Sequence, residues 1–319
     1  MFRRISSITH EISDLGIGDG GYKVLFVDQA NVGASDSNPG SRSYPFKTIN
    51  GALAAAGPMT NIYINGGNYT ENVIVPSDKI QLIGVARSGP NKVSICPPTG
   101  AALAVNGREF RATSIELVTQ DGHGAVVSAP HATLERVTIE IHDDSCGIYA
   151  NYAADLEIVQ CTIDGNNAEN SMGIYLYGAP RSIIKKCRIS NFGSGVTHGG
   201  VLNGYGIALA ESTFAQITDN WISESFEGVH VYTAGATLKG HSILRNKFWG
   251  NSSIDIADLN DPSTSRINIR GNSFLYTSYL SDEDHDGLFD GTVSCGLNYD
   301  YAPTAHVFNS EPFTPRRVT

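Results

Sequence analysis

The sequence predicts an all-β protein, a single-stranded parallel β-helix (a β-solenoid) with a short capping helix near its N-terminus. Three observations carry this. Eight stretches share one template, a small residue followed by alternating apolar positions and then a second short strand, recurring every 22–33 residues. Within each copy the apolar side chains alternate with period two, as in a half-buried strand stacked on its own copies. No helical stretch of 10–15 residues separates the strands, as a β/α fold would need. Repeats of this size mean a solenoid whose coils bury a continuous core only against their neighbours.

The elements follow in chain order. Residues 1–23 are polar and Gly-containing, an arm that docks on another molecule or a neighbouring subunit. Residues 24–28 (VLFVD) form a short strand, and Gly33 to Gly40 a turn-rich segment. Phe46, Ile49, Leu53 and Ala56 then fall at helical spacing, and Gly57-Pro58 stops the helix. This helix, within a region spanning 24–60, covers the open end of the coil, where backbone and apolar side chains would otherwise be unpaired.

The β-helix itself spans 61–278. Its clearest copies begin at Gly124, Gly147, Gly173, Gly206, Gly228 and Ser253. Aligned on that residue, they place Ile148 and Ala150, Ile174 and Leu176, Ile207 and Leu209, Val229 and Val231, and Ile254 and Ile256 in register. Further along, Val137, Cys161, Cys187, Asn220, Asn246 and Asn272 occupy equivalent positions. The three asparagines read as an amide ladder at a coil corner. The two cysteines read as small apolar residues in the same inward slot rather than as metal ligands.

Composition bounds the function. Hydrophobic residues make up 41% of the chain and charged residues 17%, which describes a packed protein. A net charge of −10 argues against nucleic acid as the main partner. No apolar run approaches a membrane span, and the N-terminus lacks the apolar core of a signal peptide. Five cysteines are too sparse for a disulfide framework and are expected to be reduced.

Residues 279–319 carry the sharpest local motif. In DEDHDGLFD, Asp282, Asp284, Asp286 and Asp290 stand at loop positions 1, 3, 5 and 9, with Gly287 at position 6 and the Leu288 carbonyl at 7. Alternating carboxylates and one carbonyl around a glycine turn are the ligand pattern of a calcium loop. Position 12 is Val293, so the loop is not an EF-hand and resembles dockerin-type and thrombospondin type 3 loops. A structural calcium ion is the expectation.

A second constellation is an outward column. Tyr149, Tyr175, Tyr177, His230 and Tyr232 are expected to project from neighbouring coils on one face, with Asp255 near His230. Exposed aromatics in a row either stack on sugar rings or bury against another subunit. The triplet Gly122-His123-Gly124 lacks the companion motifs of a glycosidase and is read as chance. Arg181, Lys185, Lys186 and Arg188 on one coil are read as surface charge, and the insertion at 190–206 as a surface loop with His198 its one titratable residue.

The stretch FVDQANVGASDSNPGSRSYPFKTINGALAAAG, followed by IYINGGNYTENVIVPSDKIQLIG, resembles the N-terminal region of right-handed β-helix proteins of the pectin lyase-like superfamily. The resemblance covers 24–86 by motif and 87–276 by repeat pattern. It implies a right-handed coil, and a choice among polysaccharide lyases, glycosidases, esterases and bacteriophage tailspikes or other virion proteins. Fold alone does not decide between these. The first reading is a structural or receptor-facing virion protein of a tailed bacteriophage, a head spike, capsid decoration protein or short tailspike. It would be folded in the host cytoplasm, homotrimeric, attached to other virion proteins through the N-terminal arm, and in contact with a host glycan or neighbouring subunits. The alternative is a polysaccharide lyase or glycoside hydrolase working on the outer face, with Asp143, Asp144, Asp164, Glu211, Glu224 and Asp255 as the pool of carboxylates and no pair singled out. A bacterial adhesion module is a third reading, disfavoured by the missing export signal.

Overall fold

The structure, a computed structural model, describes residues 21–85, 92–193, 204–232, 240–252, 254–258, 267–275, 280–281, 294–295 and 299–300. Its strands assemble into three sheets of eleven, ten and nine strands, and among the described residues neighbouring strands pair in parallel. Each coil visits the first sheet, then the second, then the third, as in Glu157–Val159, Thr162–Asp164 and Met172–Tyr177. The chain is a parallel β-helix.

The first strand, Lys23–Val27, pairs in register with Thr60–Ile64 and begins the first sheet. Helix α1 spans Ile49–Ala55, shorter than the apolar stripe from Phe46 to Ala56. Phe46 lies before the helix and bridges to Val27, while Thr48 is the N-cap, its side chain accepting from the Gly51 N–H at 2.9 Å. The Glu71 carboxylate reaches back from the first coil to the N–H groups of Ile49 and Asn50 at 2.8 and 2.9 Å. Donors that a helix start leaves orphaned are thus satisfied by the coil it covers. Ile49, Ala52 and Leu53 are buried against the end of the core.

Inside, stacked side chains fill the narrow lumen, the first sheet contributing Ile158, Ile184, Ile217, Ile243 and Ile269, all fully buried. The corner between the first and second sheets is two residues wide. Arg136, Gln160, Lys186, Asp219 and Arg245 take left-handed backbone there, at φ 52–58°, and turn the next residue inward. That next residue is Val137, Cys161, Cys187, Asn220, Asn246 or Asn272. Asn220 donates to the Asn246 Oδ1 at 3.0 Å, and Asn246 donates to the Asn272 Oδ1 at 3.2 Å. Each Oδ1 also accepts a backbone N–H of the coil below, as Asn220 does from Cys187 at 2.8 Å. The ladder exists, and the cysteines continue it as buried thiols facing the carbonyls of Leu134 and Ile158.

The stack continues beyond residue 278. Leu280–Ser281, Ser294–Cys295 and Tyr299–Asp300 add one strand to each sheet. The acidic loop, Asp282 to Asp290, lies outside the described residues, as do the N-terminal arm and His198. Among the described residues no helix is long and apolar enough to cross a membrane.

Candidate functional site

The outer face of the third sheet is built by a change in its strands. The early strands are three residues long, Leu103–Val105 and Ala125–Val127. From Cys146–Asn151 onward they lengthen to six, as Met172–Tyr177, Tyr205–Ala210 and Glu227–Tyr232. The register skips the small residue: Cys146 pairs with Met172 and Ile148 with Ile174, with Gly147 and Gly173 between them. A Cβ on Gly147 would sit 2.7 Å from the Gly173 carbonyl, and one on Gly173 2.3 Å from that of Gly206. Glycine permits this close approach, and the local bulge lets residues three apart share the outer face. Cys146, Met172, Tyr205 and Ala208 accordingly form a cluster separate from the lumen, with Tyr149, Tyr175 and Phe226 packed on it.

Tyr149, Tyr175, Ala208 and His230 stand in one register column. The Tyr149 and Tyr175 rings are 5.4 Å apart and 17° from parallel. Tyr205 stacks on His230 at 4.1 Å and 9°. His123 closes the N-terminal end of the column, 5.5 Å from Tyr149, its Nδ1 accepting the Cys146 N–H at 2.9 Å. That bond fixes the neutral tautomer with the proton on Nε2. Burial pushes the His123 pKa down, with Asp143 opposing. Burial pushes the Cys146 thiol up to about 12, so it is a protonated packing group and not a nucleophile.

His230 Nδ1 lies 2.6 Å from Glu227, and both side chains are nearly buried. A carboxylate beside an imidazole fixes the ring's orientation and tautomer. Asp143 faces the same end of the sheet and accepts from the Gly122 N–H and the Ser145 hydroxyl at 2.8 and 2.6 Å.

At the corner leading to the first sheet, Tyr152 is 60% exposed with φ 56°, and its ring lies against Gly178 of the next coil. Phe214, 53% exposed, lies against Gly240 in the same way. Tyr177 meets Tyr152 edge-on at 5.2 Å, and its bond to Tyr152 with the nearby Glu211 pushes its phenol up to about 12.

Residues 102–274, more than half of the sequence, match the family described as right handed beta helix region. The chain belongs to this family. No curated protein matches it. Solved structures similar to this right-handed β-helix include a rhamnogalacturonan lyase, 14% identical with a TM-score of 0.59, covering 81% of this chain and 75% of its own. The lacto-N-biosidase from Eubacterium ramulus is 10% identical with a TM-score of 0.57, covering 94% and 70%. The Dettilon tailspike protein is 13% identical with a TM-score of 0.52, and the match covers 87% of this chain and 59% of the tailspike. At these identities the likeness is one of fold.

Tyr149, Tyr175 and His230 share one register column, with Ala208 between Tyr175 and His230, and His230 is buried. Tyr177 stands two residues further along its strand, beside Asn151 and Ala210, and Tyr232 pairs with Ala210 through its backbone, its side chain outside the described residues. Asp255 departs from the expectation. It falls beside Gly228 on the bulge position, is fully buried, and its Oδ1 accepts from Asn251 at 2.7 Å, so it is not an outward partner of His230. Of the other carboxylates, Asp164 holds the Asn166 N–H and Asn191 amide, Glu211 sits at the Tyr177 corner, and Asp144 and Glu224 are exposed. Arg181 is committed to Asp155, at 2.6 and 2.7 Å.

Glu227, Tyr205 and His123 are the residues the sequence reading missed. Glu227 and Tyr205 occupy the position just before the repeat's glycine, where regular alternation would not place an outward residue beside His230. Only the bulge does. His123, dismissed as part of a chance triplet, is the column's end.

Proposed function

We propose that this β-helix is a receptor-facing virion protein of a tailed bacteriophage, a head spike, decoration protein or short tailspike, whose third-sheet face holds a bacterial surface glycan. The observation that supports this is the column of rings His123, Tyr149 and Tyr175, followed past Ala208 by the packed Tyr205–His230 pair. The partly exposed imidazole of His123 and phenols of Tyr149 and Tyr175 on a rigid ladder present hydrogen-bonding groups at the coil spacing, about 4.8 Å, close to the repeat of a sugar chain. A rigid scaffold with few free edges also suits a particle that meets proteases outside the cell. A homotrimer attached through the N-terminal arm, and a calcium ion in the 282–290 loop, belong to the same proposal.

The test is binding of the purified protein to a panel of capsular and O-antigen polysaccharides by biolayer interferometry, with Tyr175→Ala alongside. Saturable binding lost in the variant is expected. Mass spectrometry of purified particles encoding the chain should find it among the virion proteins, and its absence there removes the virion assignment.

The second reading is a glycan-cleaving enzyme, favoured by one specific observation. Glu227, His230 and Tyr205 form a near-buried carboxylate–imidazole–phenol set on the same face, the residue types of general acid–base work. New unsaturated or reducing ends in the incubated polysaccharide would decide for it.

A further inference from the structure

The charges around the third sheet point to the class of glycan. None of the nine strands of this sheet contains a Lys or Arg. The first sheet has Lys23, Arg111, Lys185 and Arg270 in its strands, and the second has Arg188 and Lys247. The connections from the second sheet into the third, which border this face, likewise contain no Lys or Arg, their basic residues being the imidazoles of His123, His142 and His198. Their described segments carry Glu71, which is taken up by the capping helix, and Asp121, Asp143, Asp144, Glu169 and Glu224. At the opposite border of the coils from Tyr149 onward, the described Lys or Arg is Arg181, bound bidentately by Asp155, and His131 of the preceding coil lies 3.7 Å from the same carboxylate.

A polyanion laid along this face would lose water from its carboxylates or phosphates and find no cation in return, with Glu227 and Asp143 beneath it. The rings add to the argument. Tyr149 covers part of the Tyr175 face, and Tyr205 lies flat on His230, so ring faces are turned to each other. The partly exposed pair, Tyr149 and Tyr175, therefore offers ring edges rather than an open face. Their phenol groups, with exposed carboxylates at the border, pair with sugar hydroxyls, the carboxylate accepting charge-assisted O–H bonds.

We infer that the third-sheet face selects an uncharged glycan, one built of neutral hexoses, deoxyhexoses or N-acetylated sugars, and rejects uronate, sialate and phosphate-bearing polymers. This rests on the glycan-binding reading and deepens it.

The experiment is interferometry of the full chain against immobilised neutral polysaccharides (galactomannan, dextran and a neutral O-antigen set), acidic ones (polygalacturonate, alginate, polysialate) and cationic chitosan, each at low and at physiological salt. Neutral polymers are expected to bind with an affinity changed less than about twofold by salt, since no charge pairing is screened. Acidic polymers should bind at least about tenfold more weakly, a gap of about 1.4 kcal/mol. The double variant Asp144→Lys, Glu224→Lys, both exposed, should admit polygalacturonate at low salt and weaken binding of the neutral set, whose hydroxyls lose two carboxylate acceptors. Binding to the acidic or the cationic polymers alone, lost in Tyr175→Ala, overturns the neutral selection and leaves the glycan-binding face standing. Binding to none of the three sets removes the glycan reading itself, and this inference with it.

Discussion

The Glu227 carboxylate lies 2.6 Å from Nδ1 of His230 on a face turned away from the lumen, yet neither side chain is more than about a tenth exposed. Tyr205 covers the imidazole from one side, so the pair is packed rather than solvated. Removing one partner leaves the other poorly paired. Glu227→Ala should cost about 2–3 kcal/mol in urea unfolding, the range for a hydrogen bond to a charged group. Glu227→Gln keeps an acceptor for the imidazole N–H and should cost about 1 kcal/mol or less. Equal losses in the two variants would show that shape, not the bond, holds His230.

The bulge depends on glycine. At Gly173 a Cβ would meet the Gly206 carbonyl at 2.3 Å and the Ile189 side chain at 2.6 Å. The neighbour is backbone in the middle of a ladder, so it cannot turn aside. Gly173→Ala should therefore destabilise the protein by about 3 kcal/mol, as overpacking does, and loosen the Tyr149–Tyr175 stack, read as a change in near-ultraviolet circular dichroism. Gly57→Ala, with nothing within 4 Å, is the control and should leave both unchanged.

The amide ladder is the second point where one side chain serves several coils. Asn246 accepts from the backbone and side chain of Asn220 and donates to Ile217 and Asn272. Asn246→Ala leaves the Asn220 N–H and the Ile217 carbonyl buried without those partners. The cost should be about 3 kcal/mol or more, since each unsatisfied buried group costs about 1–3 kcal/mol. A chemical-denaturation midpoint matching the native protein's would mean that water replaces the amide.

These cases show what a sequence can and cannot display here. Inward positions were legible because lumen packing repeats with fixed period, so Ile148, Ile174 and Ile207 announce themselves by register. The asparagine ladder was legible for the same reason. The face was half legible: Tyr149, Tyr175 and His230 follow the alternation, whereas Tyr205 and Glu227 reach it through a bulge that breaks the alternation. Asp255 was misplaced by the same cause, since the bulge position turns toward Asn251 and not outward. His123 gave no signal, because its role lies in one hydrogen bond to the next coil.

His241 gives the fold a pH dependence. It sits in the inward stack of the first sheet, 1% exposed, with Nδ1 accepting the Ala215 N–H at 3.2 Å. Burial lowers its pKa to about 4. An unfolded chain takes up the proton near pH 6.5 while the folded one resists it, so stability falls as pH drops below 6.5 and levels out below about 4. The histidine's share of that loss is about 3–4 kcal/mol, since each tenfold change in proton affinity is worth about 1.4 kcal/mol. His241→Leu should remove this share, so its urea midpoint should fall less than the native protein's between pH 6.5 and 4. Parallel pH profiles would assign the acid sensitivity to other groups.

The acidic loop supplies a prediction from sequence alone. Asp282, Asp284, Asp286 and Asp290 fall in the connection between Leu280–Ser281 of the third sheet and Ser294–Cys295 of the first. Four carboxylates in nine residues repel one another unless a cation neutralises them, and a cation there would tie the last coil to the stack. A ligand held only by the folded state stabilises it, by about 2.7 kcal/mol at a hundred times its dissociation constant. Chelation should therefore lower the melting temperature by about 5 °C, at about 2 °C per kcal/mol for a chain of this size. Calcium should restore it, and magnesium, which demands a tighter octahedron, should not. Asp284→Asn with Asp286→Asn should melt at the chelated temperature and ignore added calcium. An unchanged melting temperature in chelator would remove the metal and leave the loop a solvated acidic turn.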